Sequence, residues 1–237
     1  MNDSTHDTAS TWNAWNGSET RPNVLILSGS PRRDGNSRRM AEAAGEGAAS
    51  AGCRVQLEQV DEHVSAFLRD CRLCRSADGR CTIDDGFEAL LREAILPADG
   101  IVFATPLYWY GVSGQLKTCL DRLFCYIAAS HPDAEAIAPR LMHKRLGLVI
   151  SSEETYPAAV HGVVHQMQEY ARYTRSQLVG VVRGIGNKRG DVAADPDDPL
   201  GQCRRLGATL LDAHHTDYTL DTERGGSVWA SASPNQT

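Results

Sequence analysis

The chain has 237 residues, of which 41% are hydrophobic and 23% are charged, and its formal net charge is −6. This length suits one α/β domain with extensions or two very small domains. The negative charge argues against a general affinity for nucleic acid or anionic membranes, so we expect neither as a partner. No run of about 18 apolar residues occurs, and the sequence therefore predicts no transmembrane helix.

Both ends of the chain lack the periodicity of folded elements. Residues 1–21 are rich in Ser, Thr, Asn and Asp, which predicts a flexible N-terminal arm. They contain no positive residue before Arg21 and no apolar run, so they do not form a secretory signal. Seven cysteines without such a signal favour a reducing, cytoplasmic location. We expect one domain over residues 22–213 and a loosely ordered tail over 214–237.

The segment Val24–Ser37, VLILSGSPRRDGNS, has the pattern of a strand, a polar loop and a helix start. The apolar run predicts a buried strand, and Asn36 and Ser37 are good N-terminal caps. This geometry aims unpaired backbone N–H groups and the positive end of a helix dipole at one point. Side-chain donors surround that point: Ser28, Ser30, Arg32, Arg33, Asn36 and Ser37. The segment therefore predicts a phosphate site, and the alternative is an ordinary turn between strand and helix.

Two absent motifs narrow the kind of phosphate. The loop lacks the Gly-Lys-Ser/Thr ending of a nucleotide P-loop and the Gly-x-Gly-x-x-Gly of dinucleotide folds. A short cradle of Ser, Asn and Arg suits a phosphate monoester better, as in FMN.

The rest of the chain alternates between strand and helix patterns. Further strands are predicted at 53–60, 99–105, 145–151 and 179–185, and helices at 87–95, 116–124, 158–178 and 199–213. Residues 62–85 form a cysteine-containing insertion, and residues 126–144, with two prolines, are expected to be irregular. The alternation implies a parallel sheet covered by helices on both faces. Ligands bind beyond the carboxyl ends of such strands, so we expect loops 28–37, 105–113 and 151–155 to converge.

Four segments resemble the NADPH-dependent FMN reductase family and its iron–sulfur flavoprotein relatives, which have flavodoxin-like folds. They are SGSPRRDGNS, TPLYWYGVSGQLKTCLDRL, the pair Asp84-Asp85, and GNKRGDV. The resemblance covers residues 23–212. It implies a doubly wound five-stranded sheet of order 2-1-3-4-5, non-covalent FMN, hydride acceptance from NAD(P)H, and a homodimer or homotetramer.

Carried over by position, the resemblance implies roles for three groups of residues. It assigns the flavin phosphate to Ser28, Ser30, Arg32, Asn36 and Ser37, the flavin ring to Pro106, Leu107, Tyr108, Trp109, Tyr110 and Gly111, and the opposite side to Ser151, Ser152 and Glu153. The chemistry agrees, since the middle segment offers an apolar wall and backbone N–H donors to a flat ring with polar edges. Tyr108 and Trp109 are also expected to stack on substrate. The alternative for three consecutive aromatics is core packing or a subunit interface.

The cysteine segment has the spacing of a metal-ligand cluster. Cys71 and Cys74 form a Cys-x-x-Cys pair, and Cys81 follows. The iron–sulfur relatives carry a fourth cysteine at the position that Leu68 occupies here. A [4Fe–4S] cluster would therefore need a non-cysteine ligand, such as Asp70 or His63, or a cysteine from elsewhere. We expect free thiols or a redox-active Cys71/Cys74 pair rather than a metal. The other cysteines are expected to be small buried hydrophobes: Cys53, Cys119, Cys125 and Cys203.

Two further groups of residues leave alternatives open. His161 and His165 lie one helical turn apart and could chelate a metal, although surface histidines are favoured. Arg183, Lys188 and Arg189 could meet the phosphates of a nicotinamide dinucleotide or could stay solvated.

These features predict an FMN-dependent NAD(P)H oxidoreductase that passes hydride to a small acceptor. The acceptor is a flavin, a quinone, a nitro or azo compound, or a pathway intermediate. The flavin carries this chemistry, which fits the lack of a recognisable catalytic triad. The alternative is a flavodoxin-like or iron–sulfur flavoprotein electron carrier that serves a protein partner. A third hypothesis is a binding or regulatory module that has the same fold and binds no cofactor.

Overall fold

Five parallel strands form one sheet in the computed structural model, which describes residues 21–70 and 75–212. The strands are β1 (Asn23–Ser28), β2 (Arg54–Gln59), β3 (Gly100–Pro106), β4 (Arg145–Ser152) and β5 (Gln177–Ile185). Their order is 2-1-3-4-5, and every neighbouring pair is parallel. This confirms the doubly wound α/β architecture that the alternating pattern and the family resemblance predict.

Helices cover both faces of the sheet. They are α1 (Asn36–Ser50), α2 (Val60–His63), α3 (Phe87–Ala89, continued by a π-helical stretch over Leu90–Ile95), α4 (Gly114–Ile127), α5 (Ala134–Leu141), α6 (His161–Tyr173, preceded by a 3₁₀ turn over Pro157–Val160) and α7 (Pro199–Thr209). Helices α1 and α7 pack on one face, and α3 to α6 pack on the other. Alternate side chains of β1 show the division, because Leu25 and Leu27 belong to one core and Val24 and Ile26 to the other.

The three inner strands of the sheet are β1, β3 and β4. Every residue of β3 and β4 is buried, as expected for parallel strands covered on both faces. The residues of β2 are exposed or half-buried, except for the buried Gln59, because β2 lies at an edge of the sheet. The carboxyl ends of β1, β3 and β4 therefore meet in the middle of one side of the sheet.

Helices α1 and α7 approach each other at two glycines. A Cβ atom at Gly207 would lie 1.9 Å from the carbonyl oxygen of Ala44, and one at Gly47 would lie 2.0 Å from the carbonyl oxygen of Arg204. The two backbones are thus in direct contact, which only residues without a side chain permit.

A buried ion pair anchors the described part of the 62–85 insertion. The side chains of Arg122 and Asp85 are 1% and 5% exposed, and hydrogen bonds of 2.8 and 3.0 Å join them. Arg122 also donates to the carbonyl of Ala66, and its Nη2 lies 3.9 Å from Cys81 Sγ. Asp85 also accepts a 3.2 Å hydrogen bond from the Phe87 N–H group at the start of α3. The pairing with Arg122 is a contact that the sequence does not reveal.

The prediction that residues 126–144 are irregular is wrong for the part that forms α5. Asp133 precedes this helix, and Ile137 and Leu141, one turn apart, are buried in the core. Pro139 lies inside the helix. The burial of the two apolar side chains outweighs the backbone hydrogen bond that a proline removes.

The predicted boundary between α6 and β5 is also wrong. The helix ends at Tyr173 instead of continuing to 178, and the strand begins at Gln177. Thr174 Oγ1 donates to a carbonyl of the last helical turn at 2.9 Å. Arg175 has a φ of 50°, a left-handed conformation that ends a helix.

Several predictions concern residues that the structure does not describe. Residues 1–20, Cys71, Cys74 and residues 213–237 lie outside the described ranges, and the predictions for them stay predictions. Within those ranges, no helix is both long and apolar enough to cross a membrane. Three of the described cysteines are buried as expected, whereas Cys53 is partly exposed.

Candidate functional site

A cavity of about 260 Å³ opens where the strands reach their carboxyl ends. Its lining consists of Ser30, Arg32, Gly35, Asn36 and Ser37 after β1, Pro106, Leu107 and Tyr108 at β3, Ser151, Ser152 and Glu153 at β4, and Gly186, Asn187, Lys188 and Arg189 after β5. The structure therefore brings together the three loops that the sequence predicts to converge. The loop after β5 (residues 186–190, the β5 loop) completes the cavity. Its sequence signals were the GNKRGDV segment and the two cations Lys188 and Arg189.

The first turn of α1 presents unpaired backbone donors to this cavity. Gly35 stands at the N-cap and has no side chain, so no side-chain cap is made. The first helical bond runs from the Arg39 N–H to the Gly35 carbonyl at 3.1 Å. The N–H groups of residues 36–38 precede it and have no partner within the helix. Together with the helix dipole, they form a site that favours an anion.

Of the two arginines in the loop, only Arg32 lines the cavity. Arg33 instead makes ion pairs of 2.8 Å with Asp61 and 3.0 Å with Glu62 on α2. Its hydrogen bond to Asp61 raises the pKa of the Arg33 guanidinium above the ordinary value. Among the described residues, the structure gives Arg32 no acidic partner. Arg32 is therefore the guanidinium available to a phosphate.

The side chain of Asn36 joins the loop after β1 (residues 28–37, the phosphate loop) to the β5 loop. Its amide donates to the carbonyls of Gly186 and Lys188 at 3.1 and 3.0 Å. Its carbonyl accepts from the N–H groups of Gly190 and Val192 at 2.8 and 3.4 Å. The amide is thus fully engaged, and what Asn36 can offer a phosphate is its backbone N–H.

The predicted serines take three different positions. Ser30 Oγ accepts from the Arg32 N–H at 3.2 Å and so shapes the loop. Ser37 Oγ lies 2.6 Å from Ser151 Oγ, which joins α1 to the carboxyl end of β4. Ser28 does not line the cavity, but its hydroxyl is buried at the end of β1 without a hydrogen-bond partner among the described residues.

Gln59 supports the phosphate loop from the neighbouring strand. Its amide donates to the Ser30 carbonyl at 2.6 Å, and its own carbonyl accepts from Arg38 at 3.0 Å. Sequence reasoning missed this residue. The available signal was a polar side chain at the carboxyl end of a strand that pairs with β1.

The aromatic segment forms a tight hairpin turn. Tyr108 and Gly111 exchange backbone hydrogen bonds of 3.1 and 3.0 Å. Between them, Trp109 and Tyr110 have φ angles of 47° and 59°. Positive φ at both central positions defines a type I′ turn, which ordinarily takes Asn or Gly. Two bulky residues in left-handed conformations make this turn strained.

The alternative that an aromatic of this segment packs in the core is wrong. Tyr108 and Tyr110 are 41% and 49% exposed, and Trp109 is 97% exposed. Tyr108 lines the cavity together with Pro106 and Leu107, whereas Trp109, Tyr110 and Gly111 do not. The turn therefore projects an indole beside the cavity mouth, where a substrate or a second subunit can reach it.

Contacts from the residues that follow β4 and from α6 hold this turn. The Tyr110 hydroxyl donates to Glu154 Oε1 at 3.2 Å. Hydrogen bonding with Tyr156 and with the Glu154 carboxylate raises the pKa of Tyr110 to about 12. A Cβ atom at Gly162 would lie 3.1 Å from the Tyr110 carbonyl oxygen, so this glycine lets α6 approach the turn.

The residues present fit the FMN that the family resemblance implies. The phosphate end combines unpaired N–H groups of α1, the guanidinium of Arg32 and small hydroxyl side chains. The opposite end has an apolar wall of Pro106 and Leu107 beside Tyr108. A phosphate monoester joined to a flat aromatic ring matches this division between polar and apolar lining.

No group of three or more potential metal ligands occurs among the described residues. Leu68 packs against the core, and His63 Nε2 lies 2.6 Å from a Glu58 carboxylate oxygen. Cys81 is close to Arg122, and the Cys-x-x-Cys pair of Cys71 and Cys74 lies outside the described ranges. Whether the cysteine segment binds a cluster therefore stays a prediction.

The remaining candidates have mixed positions. His161 and His165 are both exposed on α6. Arg183 donates to the carbonyl of Tyr156 at 3.0 Å. Lys188 and Arg189 line the cavity and are exposed, so for these two the choice between the phosphates of a nicotinamide dinucleotide and solvent stays open.

The sheet order and the cavity at its carboxyl edge define a flavodoxin-like protein with a small-molecule site. The chain belongs to the NADPH-dependent FMN reductase family, whose model matches residues 22–194. It is therefore an oxidoreductase of a flavin-dependent, NAD(P)H-using family, as the sequence predicts.

Individual relatives agree with this family. An iron–sulfur flavoprotein of Archaeoglobus fulgidus is 26% identical over 200 residues, which cover 81% of this chain and 80% of that protein. A putative NAD(P)H-dependent FMN-containing oxidoreductase of Bacillus subtilis is 25% identical over 181 residues, covering 73% and 90%. The solved NAD(P)H:quinone oxidoreductase from Methanothermobacter marburgensis superposes with a TM-score of 0.59 at 22% identity, covering 83% of this chain and all of that one. This last likeness shows the fold alone.

Proposed function

We propose that this protein binds FMN non-covalently in the cavity and passes hydride from NAD(P)H to a small electron acceptor. The acceptor is a flavin, a quinone, a nitro or azo compound, or an intermediate of a pathway. The observation that supports this most is the cavity itself, which joins an anion cradle at α1 to an apolar wall at β3.

The chain's own residues bind and orient. The N–H groups of residues 36–38 and the Arg32 guanidinium would hold the phosphate. Pro106, Leu107 and Tyr108 would form one wall for the ring, and Ser151 to Glu153 would close the other side. Bound FMN would supply the chemistry of accepting and releasing a hydride. The exposed indole of Trp109 offers a stacking surface for the second substrate.

The direct test is the visible absorption spectrum of protein purified without oxygen, with released flavin, iron and sulfide measured on the same sample. A flavin spectrum with close to one FMN per chain supports the proposal. Steady oxidation of NAD(P)H with a quinone separates an enzyme from an electron carrier. A colourless protein that takes up no added FMN would contradict the proposal.

A matched pair of variants tests the phosphate assignment. Arg32→Gln should weaken FMN binding and leave riboflavin binding unchanged, because riboflavin lacks the phosphate. Lys117→Gln on α4 removes the same charge outside the cavity and should change neither affinity. Equal effects of the two variants would place the phosphate elsewhere.

A second candidate is an iron–sulfur flavoprotein that divides electron pairs for a protein partner. The similarity to the iron–sulfur flavoprotein of Archaeoglobus fulgidus favours it. Iron and labile sulfide in the anaerobic sample, both lost in a Cys81→Ser variant, would support this candidate. Their absence would leave the three cysteines as thiols.

A further inference from the structure

The β5 loop, residues 186–190, is joined to the phosphate loop as one unit. The Asn36 side chain bonds to the carbonyls of Gly186 and Lys188 and to the N–H of Gly190. A Cβ atom at Gly186 would lie 2.8 Å from Asn36 Nδ2, so the two loops are in close contact. The position of Lys188 is therefore set by the same residue that starts α1.

The charges of this loop are not all neutralised. Arg189 pairs with Asp34 of the phosphate loop at 3.1 Å. Asp191 accepts the backbone N–H of Lys188 at 2.7 Å. Across the described ranges, the structure records no acidic partner for the Lys188 ammonium. Lys188 thus brings a second unpaired cation to the cavity, in addition to Arg32.

We propose that Lys188 is a phosphate-binding residue of this cavity. The proposal rests on the proposed function and adds a residue of the β5 loop to the phosphate-binding groups of the phosphate loop. The ligand chemistry is a phosphate monoester. Its source is either the phosphate of FMN or the 2′-phosphate of NADPH, and these two sources can be separated by experiment.

The experiment compares wild type with Lys188→Gln, Lys188→Arg and Arg205→Gln. Arg205 is exposed on α7 and does not line the cavity, so its substitution controls for the loss of one positive charge. Fluorescence titration gives the dissociation constants of FMN and riboflavin. Difference spectroscopy on the flavin-loaded protein gives those of NADP⁺ and NAD⁺. Each pair of ligands differs only by a phosphate.

Lys188→Gln should reduce by about tenfold either the preference for FMN over riboflavin or the preference for NADP⁺ over NAD⁺. This is the size expected of a charge-assisted contact. A smaller preference for FMN over riboflavin identifies the FMN phosphate as the ligand. A smaller preference for NADP⁺ over NAD⁺ identifies the 2′-phosphate. Lys188→Arg should retain most of the affected preference, because it keeps the positive charge. Arg205→Gln should leave both affinity ratios unchanged.

The negative outcomes are distinct. If both ratios stay as in wild type while Lys188→Gln unfolds at the same denaturant concentration, Lys188 binds no phosphate and the proposal is overturned. If wild type itself binds FMN no more tightly than riboflavin, the phosphate assignment in the proposed function fails, and the role of Lys188 fails with it.

Discussion

Among the ion pairs of the described residues, that of Asp85 and Arg122 is the most buried. The ionisation of Asp85 is therefore coupled to folding. Burial alone would raise its pKa, but the hydrogen bonds from Arg122 and from the Ser65 and Phe87 N–H groups outweigh burial and lower it. A carboxyl whose pKa is lower in the folded state stabilises that state above its unfolded pKa of about 4. This contribution is lost as the pH falls through the folded pKa.

Replacing Asp85 with Asn should lower the free energy of unfolding at pH 7 by about 3–5 kcal/mol, since it leaves the Arg122 charge buried and uncompensated. The free energy of unfolding of this variant should also depend less on pH below about pH 4, because the titrating carboxyl is gone. Urea unfolding at several pH values measures both effects. Asp121→Asn, which breaks an exposed pair with Lys117, should cost less than about 1 kcal/mol. Equal losses in the two variants would contradict a special role for the buried pair.

At the scale of elements, the Trp109–Tyr110 turn stores strain beside the cavity. Trp109→Gly should raise the free energy of unfolding by about 1 kcal/mol, because glycine adopts positive φ without cost and a side chain that is 97% exposed gives up little burial. The same variant should bind the second substrate more weakly, since the stacking surface is gone. Trp109→Phe serves as the control, because it keeps an aromatic ring and a bulky side chain at the positive φ angle. A less stable glycine variant would show that the indole makes stabilising contacts.

The contact between α1 and α7 gives a second prediction at this scale. Gly207→Ala should lower the free energy of unfolding by about 1–3 kcal/mol, because the added methyl would overlap the Ala44 carbonyl and push the helices apart. Gly114→Ala, where nothing lies within 4 Å of the new Cβ, should be neutral. Thermal unfolding of both variants tests the comparison. A tolerated Gly207→Ala would mean that the two helices can separate at little cost.

At the scale of the whole molecule, cofactor binding should stabilise the fold. Ligand at one hundred times its dissociation constant adds about 2.7 kcal/mol to the free energy of unfolding. For a protein of this size that corresponds to a rise in Tm of roughly 5–10 °C. Riboflavin at the same concentration should raise Tm less, because it leaves the phosphate cradle unfilled. Equal shifts for FMN and riboflavin would contradict the anion site at α1.

Association of subunits is the second expectation for the whole molecule. Phe67, Trp109 and Phe124 are 71%, 97% and 54% exposed in the single chain, and exposed apolar groups often mark interfaces. We expect a homodimer or homotetramer, with part of this surface covered. Light scattering during gel filtration measures the mass directly. A mass near the 25.8 kDa of one chain would contradict this expectation.

The sequence by itself determined the alternation of strands and helices, the burial of the inner strands and the convergence of three loops on one edge. These follow from local hydrophobic periods and from the geometry of parallel sheets. Only the tertiary structure decided that Arg33 is paired with α2 while Arg32 lines the cavity, that the Asn36 side chain binds the β5 loop, and that Asp85 meets Arg122. Each of these outcomes depends on partners far away along the chain. Local patterns hold no information about which of several polar side chains a distant element will contact.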